Sequence, residues 1–171
     1  MLRPVRLDDA KKLVDIYNYY VSNTLISFEE NELSEREMQS RIQQSEKNEN
    51  IWLVLETRES DGSLSIEGYA YCSPWKSRAA YRFSYEVTIY LASTVQGKGY
   101  GSILYNALFE EIKARPIKVL MASIALPNEA SIALHEKMGM AKVAHFDKVG
   151  FKFDRWVDVG YWQMTLPEDP L

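Results

Sequence analysis

Cysteines, histidines and long apolar runs are scarce in this chain. Its single cysteine, Cys72, excludes an internal disulfide and fits a reducing compartment. Two histidines and one cysteine are too few for a common zinc site, so we expect no bound metal. No uncharged stretch approaches the roughly 20 residues that a membrane helix needs, and the charged N-terminus has no apolar signal core. We therefore expect a cytoplasmic protein without a membrane partner.

An excess of positive charge is also missing. The formal net charge is -4 and no basic stripe stands out along the chain, so we expect no nucleic-acid partner. Hydrophobic residues make up 46% and charged residues 26%, which is typical of a globular protein. A chain of 171 residues is long enough to bury a substantial core. With no repeat or linker, residues 1–171 are predicted to form one domain.

The spacing of apolar residues and turn signals predicts a mixed α/β sheet with helices on its faces. The predicted order is β-α-α-β-β-β-α-β-α-β-β, with mostly antiparallel strands. Ser34 and Glu37 have capping-box spacing at the start of the second helix, and Gly139 is the stop of the fourth. Strands are predicted at residues 5–7, 51–55, 65–73, 81–91, 119–125, 143–147 and 157–166.

A glycine-rich turn lies between a predicted strand and a long amphipathic helix. Its residues are Gln96, Gly97, Lys98, Gly99, Tyr100 and Gly101. Backbone N–H groups in the first turn of a helix have no helical partners, and the helix dipole adds positive potential there. Glycines let phosphates approach that backbone closely. The turn therefore predicts a phosphate site, with a purely structural turn or helix cap as the alternative.

The spacing of this turn excludes two common nucleotide motifs. A Walker loop has the form G-x-x-x-x-G-K-S/T, whereas Lys98 is followed by Gly99 and lacks the upstream glycine. A dinucleotide fingerprint, G-x-G-x-x-G, follows the first strand of a βαβ unit, whereas this turn lies mid-chain after several strands. The remaining pattern is Q-x-x-G-x-G, formed by Gln96, Gly99 and Gly101.

That pattern, between a strand and a helix, resembles the Q/R-x-x-G-x-G/A signature of the GNAT acetyltransferase superfamily. The segment from Asn128 to Gly139 resembles the N-x-x-A/S-x-x-L-Y helix of the same superfamily. The resemblance implies a GNAT fold and binding of acetyl-CoA, whose pyrophosphate the turn would hold. It also implies contacts to the pantetheine arm from Ile89, Tyr90, Leu91, Asn128 and Ser131.

A narrower resemblance covers nearly the whole chain. Segments 74–78, 86–90, 126–128 and 156–163 are similar to those of phosphinothricin N-acetyltransferases and of their relatives that acetylate methionine sulfoximine and methionine sulfone. This resemblance implies an acetyl-CoA-dependent N-acetyltransferase for a small amino acid-like amine, and a homodimer. Two alternatives stay open: a GNAT enzyme for a polyamine, an arylalkylamine or a protein N-terminus, and a non-catalytic acetyl-CoA-binding module.

Glu86 is the candidate general base. Acetyl transfer needs a neutral amine, and an alkyl amine with a pKa of about 10 is only about one part in a thousand neutral near pH 7. Glu86 interrupts a strand of aromatic and β-branched residues. Taken alone it is more typical of a solvated carboxylate on an alternating strand. Its match to the family segment E-x-T-V/I-Y favours proton acceptance from the amine, directly or through a water.

Further candidates depend on the resemblance. His135 occupies a position where many GNAT enzymes have a tyrosine; it either donates a proton to the CoA thiolate or packs within its helix. Arg78 precedes the strand of Glu86 and is a candidate ligand for an acceptor carboxylate, although a lone arginine is more often a solvated charge. Candidate pocket residues are Phe28, Tyr81 and Trp156, whose rings are also typical of a core.

Overall fold

Seven strands and four α-helices follow one another in the predicted order within residues 1–95 and 97–167, the part of the chain that this computed structural model describes. The predicted mixed α/β fold is therefore confirmed. The strands are β1 (Leu2–Pro4), β2 (Trp52–Arg58), β3 (Leu64–Pro74), β4 (Ser84–Leu91), β5 (Val119–Leu126), β6 (Ala141–Lys152) and β7 (Arg155–Thr165). The helices are α1 (Ala10–Asn23), α2 (Glu35–Lys47), α3 (Tyr100–Lys113) and α4 (Glu129–Lys137).

The strands form one sheet in the order β1-β2-β3-β4-β5-β7-β6. Neighbours are antiparallel except β4 and β5, whose parallel pairing runs from Ser84 with Val119 to Glu86 with Met121. β4 then continues along β3 as far as Leu91, and among the described residues its pairing with β5 ends at Glu86. The backbone groups of β4 that point towards β5 therefore lose their ladder partners after Glu86. We call this stretch, residues 87–91, the open edge of β4.

Helices cover both faces of the sheet, because each carries an apolar stripe at helical spacing. On one face, Leu13 of α1 and Ile42 of α2 belong to a buried core that includes Val54 of β2. On the other face, Leu104 of α3 belongs to a core with Leu120 of β5, and α4 packs against its rim. Complete burial of one such aliphatic side chain contributes roughly 1.5–3 kcal/mol. The open edge thus lies within a sheet that is covered on both sides.

Two helix boundaries confirm the predicted signals. At the start of α2, the Glu37 N–H donates to Ser34 Oγ at 3.3 Å, and the Ser34 N–H donates to Glu37 Oε2 at 2.7 Å. This reciprocal pair is the capping box that their spacing predicts. Beyond α4, Gly139 has a φ of +92°, a left-handed conformation that favours glycine at a helix stop.

Two predicted strand starts are wrong. β1 lies at Leu2–Pro4 rather than at residues 5–7, because the Asp9 carboxylate accepts the Arg6 N–H at 2.7 Å and closes the chain into a 3₁₀ turn. The strand predicted from residue 81 begins only at Ser84. Residues 79–81 form another 3₁₀ turn, in which backbone bonds replace the pairing that the alternating pattern predicts.

The segment after α4 differs most from the prediction. Residues 148–156 were expected to form a loop, but β6 runs on to Lys152 and joins β7 through a two-residue turn. Phe153 and Asp154 in that turn have φ values of +51° and +55°. Such turns usually contain Asn-Gly or Asp-Gly, so the Phe-Asp pair does not predict a hairpin at this position. The pairing register also shifts between Phe146 and Gly150.

Candidate functional site

A cavity of about 210 Å³ lies where β4 parts from β5, and we call it the fork cavity. Residues 86–90 of β4 form one wall and residues 123–125 of β5 form another, while α4 contributes Asn128, Ser131 and His135. The cavity therefore runs beside the open edge of β4. It brings together several predicted site residues that lie up to about fifty positions apart in the chain: Glu86, Ile89, Tyr90, Asn128, Ser131 and His135.

Glu86 occupies the last position at which β4 and β5 still pair. Its side chain is half-buried, and Oε1 accepts a hydrogen bond from Ser123 Oγ at 2.7 Å. One carboxylate oxygen is thereby fixed on β5, while the carboxylate as a whole lines the fork cavity. A carboxylate held in this way presents acceptor lone pairs to whatever enters the fork.

His135 is buried, with only 3% of its surface exposed. Its Nδ1 lies 2.7 Å from the Ser131 carbonyl oxygen, which can only accept, so Nδ1 carries a proton. Its Nε2 lies 2.8 Å from the Tyr105 hydroxyl and accepts from it in the neutral ring. Burial lowers the pKa of His135, and the Ser131 carbonyl opposes that shift only partly. Tyr105 also lines the fork cavity, so the pair presents one connected polar unit to it.

The glycine turn has the backbone geometry of an anion site. Gly97 and Gly99 have φ values of +78° and +79°, and a Cβ placed on either would meet no atom within 4 Å. The backbone at both positions is therefore open to an incoming group. The Ile103 N–H donates to the Gly99 carbonyl at 3.3 Å, which leaves the amides at the start of α3 without helical partners. Lys98 is exposed beside them.

Two members of the predicted turn, Gly101 and Gln96, differ from the others. A Cβ on Gly101 would lie 3.0 Å from Leu134 Cδ2, so this glycine also allows α3 to pack closely on α4. Gln96 lies outside the described residues, and its predicted role stays a prediction. Tyr100, the first residue of α3, and Leu91, the last of β4, complete the path from the open edge to the turn.

These features fit an extended, phosphate-bearing ligand such as acetyl-CoA. The open edge of β4 offers main-chain donors and acceptors of the kind that an added strand uses, and the turn and the start of α3 offer free amides for phosphate. Asn128 caps α4, since its Oδ1 accepts the Ser131 N–H at 3.1 Å, and both residues line the fork cavity. The chain's own residues thus fit the predicted acetyl-CoA site.

A second cavity of about 370 Å³, the loop cavity, adjoins the first and shares Tyr90 and Ser123 with it. Residues 26–29 form its outer wall, and Tyr17 of α1 contributes to its lining. The predicted pocket residue Phe28 lines this cavity although its side chain is 42% exposed. Burial raises the pKa of the shared Tyr90 well above its usual value, so that phenol stays neutral.

The other predicted acceptor residues line neither cavity. Arg78 directly precedes the 3₁₀ turn before β4, and Tyr81 is the last residue of that turn. The Tyr81 ring packs edge-to-face on Trp75 at 5.4 Å. Trp156 is 61% exposed on the β6–β7 hairpin, where it contacts Phe151. Their roles in binding an acceptor stay predictions.

Sequence reasoning missed Tyr105, Ser123 and the aromatic wall around Tyr17. Tyr105 gave a weak signal, because it is a tyrosine on the otherwise aliphatic buried face of α3. Ser123 gave another, as a polar residue within the apolar run of β5. Neither signal predicts which residue each side chain contacts. Tyr105 and His135 are 30 positions apart in the chain, and Ser123 and Glu86 are 37 positions apart.

Within the described ranges, no group of three or more His, Cys, Asp or Glu side chains could hold a metal ion. No helix in the same part of the chain has the length and apolar character that crossing a bilayer requires.

Comparisons with known proteins agree with this geometry. Residues 2–160 match the family model described as acetyltransferase (GNAT) domain. The chain is 36% identical over 165 residues to the phosphinothricin N-acetyltransferase of Streptomyces coelicolor, covering 96% of this chain and 95% of that protein. It is 30% identical over 165 residues to the L-methionine sulfoximine/L-methionine sulfone acetyltransferase of Pseudomonas aeruginosa, covering 96% and 94%. A phosphinothricin acetyltransferase from Sinorhizobium meliloti, solved with acetyl-CoA, superposes with a TM-score of 0.89 at 32% identity, covering 97% of this chain and 88% of that one.

Proposed function

This chain belongs to the GNAT acetyltransferase family, and from that premise we propose that it transfers the acetyl group of acetyl-CoA to the amine of a small amino acid-like acceptor. The acceptor is of the methionine sulfoximine, methionine sulfone or phosphinothricin type, as in the names of its relatives. The observation that carries the proposal is the position of Glu86, a carboxylate held by Ser123 at the point where β4 parts from β5.

The chain holds acetyl-CoA along two connected surfaces. The open edge of β4, at Ile89, Tyr90 and Leu91, bonds the pantetheine arm as a neighbouring strand would. The amides of the glycine turn and of the start of α3 bind the pyrophosphate, with Lys98 as a nearby cation. When bound, acetyl-CoA supplies a thioester whose acyl carbon is open to attack by an amine. Asn128 and Ser131 contact the arm from the α4 side of the fork.

Glu86 acts as the general base. It accepts a proton from the acceptor ammonium or amine, directly or through a water, and so maintains the neutral nucleophile that direct transfer requires. The Ser123 hydroxyl orients the carboxylate by donating to Oε1. Proton transfer by a positioned side chain contributes about 10²- to 10⁴-fold to a rate. That contribution is of the size needed to offset the small neutral fraction of an alkyl amine.

His135 and Tyr105 are proposed to stabilise the leaving thiolate by hydrogen bonding. In the neutral ring Nδ1 donates to the Ser131 carbonyl, so Nε2 has no proton of its own to give. The Tyr105 hydroxyl is the group of the pair that carries a proton on that side. That proton is donated to Nε2, so Tyr105 stabilises the thiolate by turning its hydroxyl from Nε2 to donate a hydrogen bond to the sulfur. Burial raises the pKa of Tyr105 well above its usual value, so the phenol keeps its proton. This differs from direct proton donation by His135, which was one of the two roles that the sequence left open.

The loop cavity receives the acceptor, because it meets the fork cavity at Ser123 and Tyr90, beside Glu86. Phe28 and Tyr17 supply apolar wall for a short side chain. Arg78 is the cation proposed to pair with the acceptor carboxylate, and Tyr81 and Trp156 are proposed to approach it from the same entrance. A carboxylate-binding arginine distinguishes this acceptor class from the polyamines, which favour an acidic entrance.

We propose a homodimer that forms through the β6–β7 hairpin. Six large apolar side chains of the hairpin are exposed: Val143 at 52%, Phe146 at 48%, Val149 at 59%, Phe151 at 49%, Phe153 at 52% and Trp156 at 61%. Exposed apolar groups clustered on one element are typical of a protein contact surface. Sedimentation of the purified chain tests this state, and a monomer at all accessible concentrations would remove the homodimer from the proposal.

An acceptor panel tests the activity. Thiol release from acetyl-CoA is measured with methionine sulfone, methionine sulfoximine and phosphinothricin, and with a polyamine, an arylalkylamine and a short peptide. We expect turnover with the first three. Preference for one of the others would select the alternative GNAT activity. Calorimetric acetyl-CoA binding without turnover on any amine would indicate a binding module.

A further inference from the structure

Lys152 is an unusual lysine, because 2% of its surface is exposed although it lies on a strand that forms one edge of the sheet. Its ammonium donates to the carbonyl oxygens of Val21 and Ser27, at 2.6 and 2.7 Å. It also lies 4.8 Å from the centroid of the Phe153 ring. A buried ammonium is costly unless it is hydrogen-bonded, so a lysine placed here makes a specific tertiary connection.

The two carbonyls belong to different parts of one segment. Val21 lies in the last turn of α1, where carbonyl groups have no helical N–H partner and the helix dipole favours a cation. Ser27 lies in the connection between α1 and α2, residues 24–34. One ammonium therefore joins the end of a helix to the connection that follows it. Glu29 and Glu30 also favour the charged lysine, whereas burial lowers its pKa.

This connection forms the wall of the loop cavity. Ser27 is 4% exposed, and its Oγ lies 2.9 Å from the Tyr17 hydroxyl inside the lining. Phe28, the next residue, lies over the hairpin that carries Lys152. A Cβ added to Gly150 would come within 2.5 Å of Phe28 Cζ. The hairpin thus contacts residues 27 and 28 at two points. The Lys152 ammonium binds the Ser27 carbonyl, and Gly150 leaves room for the Phe28 ring.

We infer that Lys152 is a positioning residue for the acceptor. By binding the Val21 and Ser27 carbonyls, it holds residues 26–28 at the distance from Tyr90 and Ser123 that keeps the loop cavity open. Gly150 sets the depth of the Phe28 ring in the same wall. The described residues of the glycine turn do not line the loop cavity, so we expect this contact to leave the turn unchanged. The inference relies on the proposed function only in assigning the loop cavity to the acceptor.

The main test is Lys152→Met, which keeps an apolar stem of similar length and removes the ammonium. We expect the acceptor KM to rise about tenfold, while the calorimetric Kd for acetyl-CoA stays within about twofold. Hydrogen exchange at amides 24–34 should accelerate, and exchange within α3 should not. Lys148→Met, at an exposed lysine of the same strand, is the matched control and should change none of these values.

Gly150→Ala is a second test that leaves the Lys152 ammonium in place. It keeps the inference testable if the Lys152→Met protein does not fold. The added methyl group displaces Phe28, so the acceptor KM should change at least about threefold with acetyl-CoA affinity preserved. If acceptor KM and acetyl-CoA Kd worsen together in both variants, Lys152 only stabilises the fold and the inference is wrong. Unchanged KM and unchanged exchange at residues 24–34 would overturn it equally.

The exchange measurement separates this inference from the proposed function. If the wild-type protein acetylates none of the panel amines, the proposed function fails. Faster exchange confined to residues 24–34 in Lys152→Met would still support the inference that Lys152 positions the wall of the loop cavity. If exchange accelerates equally across the whole chain, the inference about Lys152 fails as well.

Discussion

The cofactor side and the acceptor side of the fork are built from residues at very different sequence separations. The proposed acetyl-CoA surface is formed by one continuous stretch, from β4 through the glycine turn and α3 to β5 and α4. The proposed acceptor side combines the connection after α1 with the β6–β7 hairpin, so that Lys152 contacts a carbonyl 131 positions away. Function that lies on contiguous elements leaves a readable motif, whereas function assembled by tertiary packing leaves isolated residues. Glu86 is where the two sides meet.

Glu86→Gln should have the largest effect, because it removes the proposed general base, which adjoins both sides. We expect kcat to fall about 10²- to 10³-fold, with acetyl-CoA Kd nearly unchanged, since an amide keeps the shape but accepts no proton. Steady-state kinetics and calorimetry measure the two values. Ser123→Ala removes the hydrogen bond to the Glu86 carboxylate but keeps the carboxylate itself, so kcat should fall about tenfold or less. Wild-type turnover in Glu86→Gln would exclude Glu86 as the base.

Gly99→Val should damage the cofactor side alone. A φ of +79° is unfavourable for a β-branched residue and costs about 1–3 kcal/mol, so acetyl-CoA Kd should rise about tenfold to a hundredfold as the turn rearranges. Calorimetry measures this change. Gly62→Val is the matched control, because Gly62 also has a positive φ of +88° and open surroundings but lies in the β2–β3 turn. Equal affinity in the Gly99 and Gly62 variants would contradict the phosphate site.

Arg78→Ala should affect the acceptor side alone. Loss of one carboxylate-binding guanidinium should raise the KM for amino acid-like acceptors about tenfold and leave simple amines unaffected. Arg82→Ala is the control, since Arg82 lies in the same exposed turn and its guanidinium stacks on Phe83. An equal loss with both classes of acceptor would show that Arg78 acts through the structure of the turn.

The smallest expected effect concerns His135 and pH. Its pKa is lowered in the folded state, so below about pH 6.5 the unfolded chain binds a proton that the folded chain excludes. Stability should therefore fall as pH drops below that value, by at most about 1.4 kcal/mol per pH unit. Denaturant unfolding of His135→Gln between pH 5 and 7 should lack this contribution. His145→Gln, at an exposed histidine, should retain it.

Local rules predicted the element order, the capping box at Ser34 and the stop at Gly139 because each depends on neighbours in the sequence. The glycine turn before α3 was equally accessible, since its glycines and the following helix are adjacent, although its role in binding acetyl-CoA stays a proposal. The long hairpin was not, because Phe153 and Asp154 adopt positive φ values without the usual turn residues. The partner of His135 and the wall around Phe28 depend on packing between distant elements, which periodicity does not encode.

The open edge of β4 has a thermodynamic consequence. A ligand that bonds this edge binds only the folded chain, because the edge exists only where β4 has left β5 beyond Glu86. Occupancy and folding are therefore linked: ligand at a hundred times its Kd adds about 2.7 kcal/mol to the free energy of unfolding. A melting curve recorded with and without acetyl-CoA thus reports on binding before any acceptor is known. At a higher concentration of acetyl-CoA, the protein should therefore tolerate a larger mutational loss of folding free energy before it unfolds.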